Sequence, residues 1–145
     1  MTDYKKLARV LDLRRHEEQR RAVELAMARE AVRDSEVALD QMRRQRAELE
    51  AELERLAGES VGQVKTMRLL MEQLDNGIHN ALSVRALAAA TEAEKLEALT
   101  KAAQNREALE KVVGPRREAA LAHERQAEQK AIDDIITLRY KAGEG

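Results

Sequence analysis

Residues 25–56 read Leu25-AMAREAVRDSEVALDQMRRQRAELEAELER-Leu56. Taken in alternating steps of three and four, this stretch gives Leu25, Ala28, Val32, Ser35, Leu39, Met42, Arg46, Leu49, Leu53 and Leu56. The step never slips, so the pattern is a heptad repeat. Its a positions are Leu25, Val32, Leu39, Arg46 and Leu53, and its d positions Ala28, Ser35, Met42, Leu49 and Leu56. A period of 3.5 places these side chains along one seam of a helix, and that seam leaves water only by meeting another helix. Between the seam positions stand mainly Glu, Arg, Ala and Gln, which favour helix or sit comfortably in solvent. The stretch predicts a long coiled-coil arm.

Composition supports a fold made of helices alone. The 145 residues are 43% hydrophobic and 37% charged, with no Phe, Trp or Cys, two Tyr and one Pro. Much of the apolar content is Ala, so a thick globular core is not expected, and the Ala/Glu/Arg/Lys/Leu bias is that of long helices. The formal net charge of −1 argues against a dedicated nucleic-acid binder, which would carry a basic face. The lack of Cys excludes a disulfide framework and thiolate metal sites. No apolar run reaches the roughly 18 residues of a membrane span, and no apolar signal core follows the first residues. A cytoplasmic location is expected.

Outward from the deciding stretch, the heptad extends backwards through Arg21, Glu18, Arg14, Leu11 and Leu7, so the seam is apolar at its tip and charged from Arg14 to Arg21. Long Arg and Glu stems can cover a seam while their heads reach water, or the two strands can grip loosely there and expose a docking surface. Arg46 at an a position is a polar seam residue of the kind that fixes register. Thr2 or Asp3 suits an N-cap. Ala57-Gly58 and Gly62 suit a helix stop and loop, and Asp75-Asn76-Gly77 a turn or C-cap. A second seam is read at Leu82 or Val84, Leu87, Leu96, Leu99, Ala103, Leu109, Val113, Ala120, Ala127, Ile132, Ile135 and Leu138, with drifting spacing. Gly114-Pro115 predicts a kink or short break near Val112.

Arm lengths suggest the topology. A helix from Tyr4 to Ala57 is about 80 Å long at 1.5 Å per residue, and one from Ser83 to Tyr140 is similar. The expected architecture is an all-α antiparallel two-helix coiled coil with a short helical cap between the arms. Arm 1 is about 4–57, the cap about 58–82 and arm 2 about 83–140, in one elongated domain. A hairpin turning at Gly58–Gly62 would leave some twenty residues of the second helix unpaired, and a parallel dimer is the competing architecture.

Chemistry is not expected. His16, His79 and His123 do not pair at helical spacing, and the carboxylates read as solvated faces with i,i+4 partners. Gly58, Gly62, Lys65 and Thr66 lack phosphate-loop spacing, because the Lys lies three residues beyond the second Gly. No nucleophile stands beside a base. The reading is a non-enzyme with no cofactor and no metal. The densest apolar block outside the main seam is Met67, Leu69, Leu70, Met71, Leu74 and Ile78, a candidate partner face with adaptable Met contacts.

Three segments in order carry a resemblance. They are Tyr4-KKLARVLDLRR, Met67-RLLMEQLDNG-Ile78 and Glu124-RQAEQKAI-Asp133-Asp134. The chain resembles, over its whole length, the FliJ family of flagellar type III export stalk proteins; the Gly114-Pro115 pair departs from that pattern. The resemblance implies a cytoplasmic antiparallel coiled coil that associates with the inner-membrane export apparatus and is a monomer when free. It implies insertion into the hexameric export ATPase, which it activates, and contacts to the export gate membrane protein and to export chaperones. By that analogy Leu7, Leu11, Ile135 and Leu138 would enter the ATPase ring, and Met67, Leu70, Leu74, Ile78 and Ala81 would meet the gate. A virulence-type secretion stalk and a dimerising coiled-coil tether are the alternatives.

Overall fold

A computed structural model describes residues 3–56, 58 and 61–144. Helix α1 spans Asp3–Arg55 and helix α2 spans Val61–Glu144, packed as an antiparallel two-helix coiled coil. The expected cap residue Thr2, and Ala57, Glu59 and Ser60 of the expected turn, lie outside the described residues. In the connection Gly58 has φ of +94°, which an L side chain tolerates poorly and glycine adopts freely. Just before it, the Leu56 amide still donates to the Glu52 carbonyl at 3.0 Å, so the last turn of α1 closes before the chain reverses.

The contacts divide the chain into two compact units. One contains Arg20–Thr100, the other Met1–Gln19 with Lys101–Gly145. Within the first unit, Glu24 meets Lys95, Arg29 meets Glu92 and Arg46 meets Asp75. From Arg29 to Arg46 α1 advances seventeen residues while its partner on α2 falls back seventeen, from Glu92 to Asp75. That is an antiparallel pair without slippage. Within the second unit, Arg15 meets Glu110 and Glu18 meets Arg106, again with opposite sense.

The heptad read from the sequence is the packed seam. All ten a and d positions from Leu25 to Leu56 are buried or half-buried, and Leu39 is the most deeply covered at 1% exposure. Ser35, a buried polar residue, donates its hydroxyl to the Val32 carbonyl at 2.6 Å, which satisfies it without a partner on α2.

On α2 the structure corrects the reading. Its seam positions are Val64, Met67, Met71, Leu74, Ile78, Ala81, Arg85, Ala88, Glu92, Lys95, Leu99, Ala102, Arg106, Leu109 and Val113, all buried or half-buried in an unbroken alternation of three and four. Spacing judged by large apolar residues drifts because Arg, Glu, Lys and Ala occupy many of these sites. Val84, Leu87 and Leu96, expected in the seam, are exposed, as are Ala127, Ile132, Ile135 and Leu138.

The expected break at Asp75-Asn76-Gly77 does not occur; residues 61–82 are the opening turns of α2 and pack alongside α1 rather than forming a separate cap. The Asn-Gly signal is overridden because Leu74, Gly77 and Ile78 lie on or beside the packed seam, and tertiary packing outweighs a local turn preference of about 1 kcal/mol. Helix α2 also runs through Gly114 and Pro115 without a break. Both residues are exposed and Val113 next to them is buried, so contact with α1 anchors the helix where proline removes one backbone donor.

Candidate partner-binding surfaces

Two surfaces are left open by the seam, one in each unit. In the Arg20–Thr100 unit a groove runs along one flank of the helix pair. One stretch, about 430 Å³, is lined by Met42, Gln45 and Leu49 of α1 and Leu70, Gln73, Leu74 and Gly77 of α2. The next, about 360 Å³, is lined by Ser35, Ala38 and Met42 with Gly77, Asn80, Ala81 and Val84. Met42 and Gly77 belong to both, so the two stretches are continuous. Small residues form the hollow: at Gly77 and Ala38 the helices have nothing longer than a methyl group to fill the flank.

The residues expected to meet an export gate divide on this geometry. Leu70 is an exposed wall of the groove, and Leu74 and Ala81 form its floor. Met67 and Ile78 are half-buried in the seam and line neither stretch. Sequence reasoning misses Ala38, Gln45, Gly77 and Val84, the positions that give the groove its width and second wall. The signal is present in the heptad, because Ala38 and Gln45 each stand just before an a position, on the same flank of α1.

In the other unit, every described residue of α2 from His123 to Gly143 is exposed. These 21 residues extend past the first turn of α1 and make a helical overhang about 30 Å long. Near its end, Ala131, Ile132, Ile135, Leu138 and Ala142 share one broad face by their three- and four-residue steps, with Ile136 beside it. Ile135 is 53% and Leu138 66% exposed. The expected grouping of Leu7 and Leu11 with these two residues is not what the helices form. Leu11 is buried and Leu7 half-buried, and the Arg15–Glu110 pairing puts Leu7 near the level of Glu118 and Leu11 near that of Val113. Ile135 lies 22 residues farther along α2, about 33 Å at helical rise.

Ion pairs hold the charged part of the seam. The Arg106 guanidinium donates to both carboxylate oxygens of Glu18 and, at 2.9 Å, to Glu110, while Arg15 donates to Glu110 at 3.3 Å. These contacts raise the Arg106 pKa, the Glu18 hydrogen bond contributing most. In the Arg20–Thr100 unit Arg21 donates to Glu24 at 3.0 Å and Lys95 lies 3.6 Å from the same oxygen. The Arg21 hydrogen bond is the main cause holding Glu24 below the ordinary carboxylate range. Arg46 donates to Asp75, which raises its own pKa. Of the charged seam residues on α1, Glu18 is thus tied to α2 through Arg106, while Arg14 pairs with Glu17 and Arg21 with Glu24 along α1 itself.

Among the described residues no cluster of His, Cys, Asp or Glu could hold a metal ion, and no helix is long and apolar enough to cross a membrane. The family model described as flagellar FliJ protein matches residues 4–145, nearly the whole chain. No curated protein and no solved structure matches it.

Proposed function

We propose, from the premise that the chain belongs to the flagellar FliJ family and so is a component of the flagellar protein export apparatus, that it serves there as a non-catalytic stalk. The α2 overhang enters the hexameric export ATPase and promotes ring assembly and ATP hydrolysis. The groove flanked by Leu70 links that ATPase to the cytoplasmic part of the export gate, with export chaperones as further partners of the same machinery.

The observation that carries this reading is the overhang. Its apolar end is exposed throughout its described residues and so buries nothing within the chain, and hydrophobic surface of this kind marks an interaction site. Inserted in a ring, Ile132, Ile135 and Leu138 would exchange water for protein, each contributing about 1.5–3 kcal/mol when fully covered. Leu7 and Leu11 act differently in this proposal: they clamp the start of α1 to α2 and so hold the base from which the overhang projects.

The test adds the purified chain to the cognate export ATPase and follows ATP hydrolysis and hexamer formation together. A rise in both supports the stalk role. No change in either at concentrations well above micromolar refutes it.

A further inference from the structure

We infer that the export-gate segment docking in the groove does so as an α-helix, presents an uncharged face to it, and brings a small residue over Gly77. This rests on the gate contact proposed above and concerns how the guest is held.

Three observations converge on it. The first is charge. In a two-stranded coiled coil the positions flanking the seam commonly carry Glu and Lys that pair across the helices. One flank of α1 follows that habit, with Arg29, Glu36, Arg43 and Glu50 standing four residues after successive a positions. The other flank has Glu24 and Glu52 before the first and last a positions but Ala31, Ala38 and Gln45 before the three between them, and Leu70, Gly77 and Val84 of α2 line the groove with the last two of these. In a chain that is 37% charged, none of the residues lining either stretch of the groove is charged. A flank without charge disfavours a solvated or ionic guest face and complements an apolar or amide-bearing one. A two-stranded coil whose flank is neutral over this stretch has there the surface of a bundle lacking its third helix.

The second observation is Gly77 itself. It lies inside α2 with negative φ, so its backbone does not require glycine. Helix α1 does not require it either, since a Cβ at this position would meet only the Met42 side chain, at 3.6 Å from Sδ and 4.0 Å from Cε, ordinary contact distances. A helix-weakening residue is thus kept where neither conformation nor packing within the chain demands one. A missing Cβ where the two stretches of an open groove join permits the close backbone approach by which small residues let helices cross. The third observation is exposure around that point: Leu70 and Val84, one helical repeat of seven residues to either side of Gly77, are 45% and 57% exposed and stand as walls.

The experiment titrates the purified cytoplasmic part of the export gate onto the full chain and onto Gly77→Ala, Gly77→Leu, Gln45→Glu and Glu36→Gln variants, at low and high salt, with thermal melting of each variant alone. Expected are a several-fold weaker complex with Gly77→Ala although that variant melts higher than the parent, a loss of at least about tenfold with Gly77→Leu and with Gln45→Glu, and no change with Glu36→Gln on the charged flank. Affinity for the parent chain should be nearly independent of salt, since no ion pair is formed. Parent-level binding by Gly77→Leu, or affinity that falls steeply with salt, overturns the helix-in-groove mode while leaving the gate contact standing. Failure of the parent chain to bind the gate at all overturns the gate contact and this inference together.

Discussion

Leu39→Ala tests the packing of the helix pair at its most covered point. Leu39 is 1% exposed at an a position of the seam. Truncation to Ala removes three buried carbon groups, about 2.4 kcal/mol at about 0.8 kcal/mol each. In a thick core an unfilled cavity would raise the loss toward about 5 kcal/mol. Here the neighbouring hollow lined by Ser35, Ala38 and Met42 is open to solvent, so the vacated space merges with the groove and the cavity contribution stays small. The predicted loss is therefore about 2–3 kcal/mol, or about 5–10 °C in melting temperature for a chain of this size. Val37, two residues away and 57% exposed, is the control; Val37→Ala should cost under about 0.5 kcal/mol. Urea and thermal unfolding followed by circular dichroism would measure both. Equal losses for the two variants would refute the heptad register, and a loss near 5 kcal/mol for Leu39→Ala would refute the open-flank argument.

Stability should fall in acid through Glu24 among other carboxylates. Its pKa is lowered in the folded chain, so the unfolded state binds the proton more readily, and the stabilisation present at neutral pH is lost as pH drops through the ordinary carboxylate value of 4.5 and below. Glu24→Gln should flatten that part of the pH–melting profile, and an unchanged profile would sink the assignment. Gly77→Ala should stabilise the chain by about 1 kcal/mol, since a Cβ there meets only Met42 at ordinary contact distances, whereas Gly58→Ala should destabilise because φ is positive there. Opposite signs in urea unfolding are the check. Leu70→Ala should weaken gate binding with little effect on melting, while Leu74→Ala should lower both, because Leu74 is half-buried in the seam and Leu70 stands on the flank.

Much of the helix pairing is legible in the sequence from Leu25 onward, because on α1 large apolar residues and seam positions coincide. On α2 they separate. Arg85, Glu92, Lys95 and Arg106 occupy seam sites, and each of Glu92, Lys95 and Arg106 meets an oppositely charged residue on α1. That pairing depends on which residue of the other helix arrives opposite, information that no local window contains. The same limit explains the misplaced cap. Arm lengths place the turn by the distance between chain breaks, whereas register is set by ion pairs and by the covering of Leu11 and Val113. The overhang follows from that register. The groove is half legible: Leu70, Leu74 and Ala81 stand out as apolar, while Gly77 reads as a turn because its use is the absence of a side chain.

The most direct test compares the full chain with one lacking residues 123–145 in the ATPase assay, with melting of both chains recorded. The removed segment buries none of its described residues, so the melting temperature should be unchanged to within the effect of about 0.5 kcal/mol, while stimulation of ATP hydrolysis and of hexamer formation should be lost. Full stimulation by the shortened chain would contradict the assignment of the overhang to the ATPase ring.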